Sequence, residues 1–370
     1  MGFYDEPARV VYPAIEPGRR VLVISDIHAN LPYFHGVLQK VGFCDDDVLI
    51  LNGDFLEKGA ESLKTLREVM ALCERGNTIA IMGNCDAWAT IYHRNSRETE
   101  AVLRYMRRRK CGLMWDMALE LGLRPMELSD VADFLRRLAE RFPAELAFLD
   151  TLPQAARTGR YTFAHAAVYP DKPLEAHTVG ELIRCDAWYR KGYTFDDWVV
   201  VGHYPVMLYS ADIVTANPII DRERHIASID GACVLKDDGQ LNCLIIPDIA
   251  GDELRFEAYD PFPVYTVLED QAASARSAYI RWGDSRVQVL ERGEEFSRCR
   301  HVRTGYELDI LTKYLFTDGE FTDCNDCTDY VLPLRAGDRV GVVETCSRGY
   351  FVKHNGVSGW YFGRLREDGA

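Results

Sequence analysis

The sequence predicts a layered α/β domain over about residues 1–260, followed by a small all-β domain over residues 261–370. In the first part, short β-branched runs alternate with longer stretches of helical spacing, which is typical of a layered α/β fold. After about Pro261 the chain changes to short alternating runs separated by turn residues, such as RVQVL and GYFVKHNG. The chain has 370 residues, 47% of them apolar, which is enough for a buried core in each part.

Composition and charge exclude several classes of protein. Lys and Arg number 43 against 57 Asp and Glu, a formal net charge of −14 at pH 7, which disfavours general nucleic-acid binding. No run approaches the roughly 18 apolar residues of a membrane span, and the first residues lack the pattern of a secretory signal. We therefore expect a soluble, cytoplasmic protein with no membrane partner, whose 11 cysteines are reduced.

Six runs in the first part predict strands, and Asp, His or Asn follows each of them. The runs are Val21 to Ile24, Val48 to Leu51, Thr78 to Met82, Tyr161 to Ala164, Trp198 to Val201 and Ile226 to Ile229. Loops at the carboxyl ends of strands converge in open α/β sheets. The polar residues therefore predict one shared site at one edge of one sheet.

A helical insertion is predicted at about residues 95–157, where the chain has helical spacing and no strand signal. Within it, Ser129 is the expected N-cap of a helix that Pro143 ends. We interpret the basic run of residues 107–110 as a solvated helix face.

The end of the chain carries the pattern of a small barrel. Residues 331–363 contain a Gly-Asp turn before a strand, an Asn-Gly hairpin signal at Asn355 and Gly356, and the aromatic pair Trp360 and Tyr361. Over about residues 330–366 this resembles the bacterial Src-homology 3-like barrel. The resemblance implies a peptide or protein ligand for the C-terminal domain.

Three N-terminal segments and two later histidines carry the predicted chemistry. The segments are SDIHAN at residues 25–30, NGDFLEKG at 52–59 and MGNCD at 82–86, and the histidines are His165 and His203. Asp26 and His28 share a face if their segment is extended, so both can hold one divalent ion. Asp54 has two carboxylate oxygens and can bridge this ion to a second one, whose other ligands are then Asn84, His165 and His203. Mixed carboxylate, imidazole and amide ligands suit Mn, Fe or Zn.

The ordered set D-x-H, G-D-x-x-E-K-G, G-N-C-D, a lone His and G-H-x-P resembles the calcineurin-like metallophosphoesterase superfamily. The motifs are most similar to those of serine/threonine phosphoprotein phosphatases and their bacterial relatives, including diadenosine tetraphosphatases. The resemblance implies a β-sandwich flanked by helices that holds two divalent metal ions. It assigns Asp26, His28 and Asp54 to the first ion and Asp54, Asn84, His165 and His203 to the second, with a bridging hydroxide as the nucleophile.

Two departures from the phosphatase pattern affect the expected chemistry. Cys85 stands where those phosphatases have a general-acid histidine, and Lys58 stands where they have a phosphate-binding arginine. Lysine cannot reproduce the bidentate fork of arginine. We take Asp54, Cys85 and Asp86 as catalytic candidates. The phosphate-binding candidates are Lys58, Asn84 and Arg184, with Arg190 as an alternative arginine.

Three functions follow from these motifs. The motif order favours a phosphomonoesterase that acts on a phosphorylated protein or small molecule. The G-N-C-D segment favours a phosphodiesterase or a dinucleoside polyphosphate hydrolase. The departures at Cys85 and Lys58 leave open an inactive metal-binding scaffold.

Overall fold

The computed structural model describes residues 2–94 and 99–367, so residues 95–98 of the predicted insertion and 368–370 of the predicted β domain lie outside it. Two compact units are formed. The first comprises Met1–Pro205, Pro218–Leu235 and Gly239–Asp260, and the second comprises Val206–Asn217, Lys236–Asp238 and Pro261–Ala370. No helix within the described residues has both the length and the apolar character needed to cross a membrane.

Eight α-helices belong to the described chain. They are α1 Leu31–Val41, α2 Ser62–Glu74, α3 Ala87–Arg94, α4 Thr99–Arg109, α5 Leu113–Glu120, α6 Val131–Arg141, α7 Pro143–Thr151 and α8 Val179–Ile183. Short 3-10 helices lie at Phe3–Asp5, Pro125–Glu127, Leu174–Ala176, Trp188–Lys191, Val206–Tyr209 and Thr312–Tyr314.

The strands of the first unit, with one short strand of the second, come first in the chain. They are β1 Val10–Val11, β2 Val21–Ile24, β3 Val48–Asn52, β4 Thr78–Ile81, β5 Ala155–Thr158, β6 Tyr161–Ala164, β7 Trp198–Val201, β8 Val214–Thr215, β9 Ile219–Asp221, β10 Ile226–Ser228, β11 Leu241–Ile246 and β12 Arg255–Tyr259. Those that follow are β13 Val264–Val267, β14 Tyr279–Ile280, β15 Arg286–Glu291, β16 Phe296–His301, β17 Glu307–Leu311, β18 Leu315–Asp318, β19 Phe321–Cys324, β20 Cys327–Thr328, β21 Arg339–Cys346, β22 Gly349–His354, β23 Val357–Tyr361 and β24 Leu365–Glu367.

The first unit is built on two sheets, with strand orders β1-β5-β6-β7-β10-β9 and β12-β11-β2-β3-β4. β2, β3 and β4 run parallel, as do β6, β7 and β10. Side chains from both sheets, among them Val23, Ile50, Phe163 and Val200, form one apolar core. Helices α1 to α8 contribute to a second, larger core with the other faces of these strands. This is the layered sandwich that the resemblance implies.

The six predicted strands all form, and their ends differ from the prediction by one residue or none. Four-residue runs such as Val21–Ile24 and Trp198–Val201 are buried throughout, because both faces of each sheet are covered. One expectation is wrong. The strands belong to two sheets rather than to one, so the loops that follow them come from two facing layers.

The helical insertion is present within the described residues, but its internal boundaries differ from the prediction. Asp130, not Ser129, caps α6, and its carboxylate accepts a hydrogen bond from the Asp133 backbone N–H at 2.9 Å. Pro143 does not simply end this helix. It occupies the first turn of α7, where proline lacks a donor that would be unpaired in any case.

In the described part of the second unit, the named strands pair with one another in antiparallel fashion. Its sheets have the orders β24-β13-β21-β22-β23-β8, β14-β20 and β17-β16-β15-β19-β18. Asn355 and Gly356 form the two-residue turn between β22 and β23, with φ values of 50° and 75°, as the hairpin signal predicts. The stretch predicted to resemble a barrel thus shares its sheet with β13 and β8.

Candidate metal centre

Loops at the carboxyl ends of strands from both sheets meet at the predicted site. The loops after β2, β3 and β4 carry Asp26 and His28, Asp54, and Asn84. Those after β6 and β7 carry His165 and His203. The sandwich thus places donors from two layers face to face.

The backbone of these loops is not extended. Asp26 and His28 have φ values of 58° and 49°, so the shared-face explanation for this pair is wrong, although the two side chains do come together. Asp54 and His203 also have positive φ, at 53° and 68°. Each such residue costs about 1–3 kcal/mol and persists only where its surroundings impose it, most often at functional sites.

Glycines before two of the donors allow the loops to approach closely. A side chain at Gly83 would collide with the backbone nitrogen and Oδ1 of Asp54. One at Gly202 would collide with Ser25 Oγ and Asp26 Oδ2. These positions require glycine because the facing loop occupies the space of a Cβ atom.

The donor atoms lie close enough together for several of them to bind the same cation. His165 Nε2 lies 3.2 Å from Asn84 Oδ1 and 3.3 Å from Asp54 Oδ1. His28 Nε2 lies 3.8 Å from Asp26 Oδ1 and 4.0 Å from Asp54 Oδ2. Ligand atoms of Asp54, His165 and His203 lie within 4.8 Å of one another, as do those of His28, Asp54 and Cys85. Asp54 belongs to both groups, so the geometry permits one carboxylate to serve two ions.

Backbone carbonyls orient two of the imidazoles. His28 Nδ1 lies 3.4 Å from Leu56 O, and His165 Nδ1 lies 3.0 Å from Asn52 O. With Nδ1 as the donor, each ring directs Nε2 towards the carboxylates. Histidines that bind metals are commonly held in this way.

The electrostatics of the cluster fit divalent cations. Asp26, Asp54 and Asp230 are at most 2% exposed, and Asp26 Oδ1 and Asp230 Oδ2 have no hydrogen-bond partner among the described residues. Burial raises the pKa of Asp26. Burial would lower the pKa of His165, but Asp54 and Asp26 raise it to about 10. Buried carboxylates with unpaired oxygens are stable when they bind a cation, so this donor set fits a divalent metal.

The remaining predicted site residues, His203, Lys58 and the candidate arginines, lie around these carboxylates and imidazoles or near them. His203 donates its backbone N–H to Asp26 Oδ2 at 2.9 Å, and its Nε2 lies 3.2 Å from Asp186 Oδ1. Lys58 Nζ lies 3.3 Å from His28 Nε2. Of the two candidate arginines, Arg184 lines a cavity with Asn84 and His203, whereas Arg190 lies in the 3-10 helix Trp188–Lys191.

The family pattern of calcineurin-like phosphoesterases matches residues 19–227, more than half of the chain and all six predicted metal ligands. The chain belongs to the calcineurin-like phosphoesterase family. It is a metal-dependent hydrolase of phosphoric esters, and the predicted superfamily is confirmed.

Two curated relatives of this phosphoesterase share a name. The asymmetrical bis(5'-nucleosyl)-tetraphosphatase PrpE of Bacillus velezensis is 26% identical over 206 residues, which cover 50% of this chain and 77% of that protein. Its namesake in Bacillus subtilis is 27% identical over 206 residues, covering 50% and 78%. A solved protein serine/threonine phosphatase from Saccharomyces cerevisiae is 12% identical with a TM-score of 0.39, covering 70% of this chain and 85% of that chain. The two Bacillus relatives do not support the specific phosphomonoester preference expected from the sequence.

The family match ends at residue 227, before the C-terminal β part of the phosphoesterase begins. The resemblance of about residues 330–366 to a Src-homology 3-like barrel therefore stays a prediction. A peptide or protein ligand of this part has no support from the relatives either.

Cys85 lies inside the cluster of the phosphoesterase. It is 4% exposed, and its backbone N–H donates to Asp54 Oδ1 at 2.8 Å. Its Sγ lies 3.6 Å from Asn84 Nδ2. Burial and then the charge of Asp54 raise the pKa of its thiol well above the usual range.

Asp86 is completely buried beneath the metal loops of the phosphoesterase. Its Oδ2 accepts the backbone N–H groups of Asp54 and Gly83, both at 2.8 Å, and its Oδ1 accepts that of Leu56 at 3.0 Å. All three bonds hold backbone of the two loops that carry Asp54 and Asn84. Asp86 thus ties these loops together.

Glu57 is a residue of the phosphoesterase to which the sequence assigned no role, although it belongs to the G-D-x-x-E-K-G motif. It is 3% exposed and has a φ of 66°. Its carboxylate accepts hydrogen bonds from the Leu113 backbone N–H and from Tyr105 Oη, both at 2.8 Å. Burial raises its pKa to about 7. Glu57 thereby links the loop of Asp54 to helices α4 and α5 of the insertion.

Proposed function

We propose that this chain uses two divalent ions, Mn, Fe or Zn, to hydrolyse a phosphoanhydride bond of a dinucleoside polyphosphate. The buried donor cluster with its unpaired Asp26 Oδ1 carries the metal-dependent part of the proposal. In it, Asp26, His28 and Asp54 hold one ion, and Asp54, Asn84, His165 and His203 hold the other. When bound, two such ions supply an activated water near neutral pH and neutralise charge on the phosphate.

Cys85 supports an anhydride over an alkyl monoester as the substrate. An alkoxide leaving group needs a proton donor, and a thiol is a weak hydrogen-bond donor. A phosphate leaving group needs no such donor, because the second pKa of a phosphate group is about 6. The names of the Bacillus relatives, given to enzymes that act on bis(5'-nucleosyl) tetraphosphates, point to the same class of bond.

The roles of the other site residues follow from their placement. Arg184 and Lys58 lie on two sides of the cluster and can bind phosphate oxygens, and Asn84 can contact the same group. Asp86 acts as a positioning residue, because all three of its hydrogen bonds go to backbone of the metal loops.

Three substrates separate the candidate functions. The chain is stripped with EDTA, reloaded with manganese, and assayed on diadenosine tetraphosphate, p-nitrophenyl phosphate and bis(p-nitrophenyl) phosphate. We expect kcat/KM for the tetraphosphate to exceed that for either ester. Because p-nitrophenolate leaves without a proton donor, the comparison tests which bond the site accepts and does not depend on the missing general acid. A preference for p-nitrophenyl phosphate would contradict the proposal in favour of a monoesterase. Two bound metals without any turnover would indicate a metal-binding scaffold.

A further inference from the structure

Two adjoining cavities open beside the metal centre. The first, of about 550 Å³, is lined by Asn84, Arg184 and His203, among others. The second, of about 670 Å³, shares Tyr4, Asn84 and Arg184 with the first. A molecule whose phosphate reaches the centre can therefore extend past these shared residues into the second cavity.

Aromatic side chains line the second cavity. Trp88, Tyr92, Phe3 and Tyr4 all face it. The indole of Trp88 is partly exposed and is backed by Tyr105, with ring centroids 4.9 Å apart and planes 16° apart. This stacking holds the indole in place.

The N-terminal segment, residues 2–8, contributes Phe3 and Tyr4 to the second cavity and is held to the rest of the first unit by backbone hydrogen bonds. Its backbone accepts a hydrogen bond at Glu6 O from Val179 N, at 2.9 Å, and donates one from Ala8 N to His177 O, also at 2.9 Å. A Cβ at Gly180 would lie only 3.0 Å from Tyr4 Cβ, so glycine there lets Tyr4 pack closely. The aromatic lining is thus part of the fold.

Positive charge lies between the aromatic lining and the donors. The Arg184 guanidinium carbon lies 4.5 Å from the centre of the Tyr4 ring, and the side chain is exposed. The carboxylate of Glu6, which also lines the second cavity, is paired with Arg94 at 3.1 Å. A chain of phosphates leading from the cavity to the metal centre would meet Arg184 on its way.

We infer that the second cavity binds the nucleobase and ribose of a nucleotide whose phosphates pass Arg184 to the metal centre. The inference rests on the proposed function and names the part of the substrate that is recognised away from the reacting bond. A volume of about 670 Å³ lies within the range of about 300–1,000 Å³ usual for ligand pockets. Aromatic side chains bind a base by stacking, a contribution of about 1–3 kcal/mol per base.

The test compares a probe that has a base with one that lacks it. Binding of ADP and of inorganic pyrophosphate is measured by calorimetry in EDTA, so that neither signal depends on bound metal or on turnover. The variants are Trp88→Leu and Tyr4→Leu, each checked by thermal unfolding. Trp282→Leu serves as the matched control, because Trp282 is 60% exposed and belongs to the second unit.

We expect each site variant to raise the Kd for ADP about tenfold, with the Kd for pyrophosphate and the Trp282→Leu control within twofold of the wild type. The inference is overturned if the wild type binds ADP no more tightly than pyrophosphate, or if the variants weaken both probes equally. It is also overturned if the variants raise KM for p-nitrophenyl phosphate but leave ADP binding intact. Failure of the proposed function is distinguishable: ADP binding follows the expected pattern while manganese-loaded protein leaves diadenosine tetraphosphate intact.

Discussion

Replacing Asp86 by Asn tests whether this buried carboxylate holds the metal loops. The carboxylate accepts three backbone N–H groups, two at Oδ2 and one at Oδ1. An amide offers one oxygen, so Asp86→Asn keeps at most the two bonds at Oδ2 and turns its NH2 group towards the N–H of Leu56. One hydrogen bond is then lost, and a buried donor left unpaired costs about 1–3 kcal/mol.

Burial and the charge of Asp54 raise the pKa of Asp86 to about 8, so ionisation of this carboxyl group costs stability as pH rises above about 4, and the amide removes that cost. The two proteins are therefore compared at about pH 4, where the lost hydrogen bond leaves a net destabilisation of about 1–3 kcal/mol. For a unit of this size, 1 kcal/mol corresponds to about 2–4 °C in Tm, which gives a fall of at least about 2 °C. The assay is thermal unfolding in EDTA by circular dichroism. Because the lost bonds hold the backbone around Asp54, manganese affinity should also fall about 10-fold or more.

The exposed carboxylate of Asp45 provides the matched control. Asp45→Asn should change stability by no more than about 0.5 kcal/mol. An Asp86→Asn protein that melts within about 1 °C of the wild type would refute the hydrogen-bond reasoning. A protein that melts earlier but binds manganese unchanged would refute the positioning role and leave only the structural one.

Two further predictions concern the same loop. Burial raises the pKa of Glu57 from 4.5 to about 7, so its contribution to stability is complete below pH 4.5 and is lost as pH rises through 7. The free energy of unfolding of Glu57→Gln, relative to that of the wild type, should therefore rise by up to about 3 kcal/mol between pH 5 and pH 8. Urea unfolding with EDTA measures it, and an equal difference at every pH would contradict this prediction. Asp54→Asn should lower metal affinity by about 100-fold or more and bring the content measured by mass spectrometry below two ions per chain, whereas two tightly bound ions would show that Asp54 does not bridge them.

The strands and most of the donors could be predicted from the sequence because burial leaves a plain pattern. A run such as Val21–Ile24 is apolar at every position since both faces of its sheet are covered. Polar residues follow such a run where the chain leaves the sheet. Asp54 and His165 are predictable because they come just after two of these runs. The apolar runs do not show which strands pair with each other, so the division into two sheets could not be predicted.

The local conformation of the loops was the less predictable part. Residues other than glycine rarely adopt positive φ, so nothing in SDIHAN showed that Asp26 and His28 would both do so. Ser129 and Asp130 are both good N-caps, and only the bond to the Asp133 N–H decides between them. Tyr4 and Asp186 reach the site through contacts distant in sequence, for which no motif exists. The glycines before Asn84 and His203 were the one visible signal of close loop packing.

The position of β2 in its sheet has a consequence for how the protein folds. This strand leads into the loop of Asp26, and its neighbours are β3 on one side and β11 on the other. The β11 partner of Val23 is Leu244, so the second ladder cannot form until the ribosome has released most of the first unit. Until then β2 is an unpaired edge rich in Val, Ile and Leu, the kind of strand that invites aggregation. The nascent chain therefore exposes an edge prone to aggregation at the strand that leads into the metal centre, until β11 has been made.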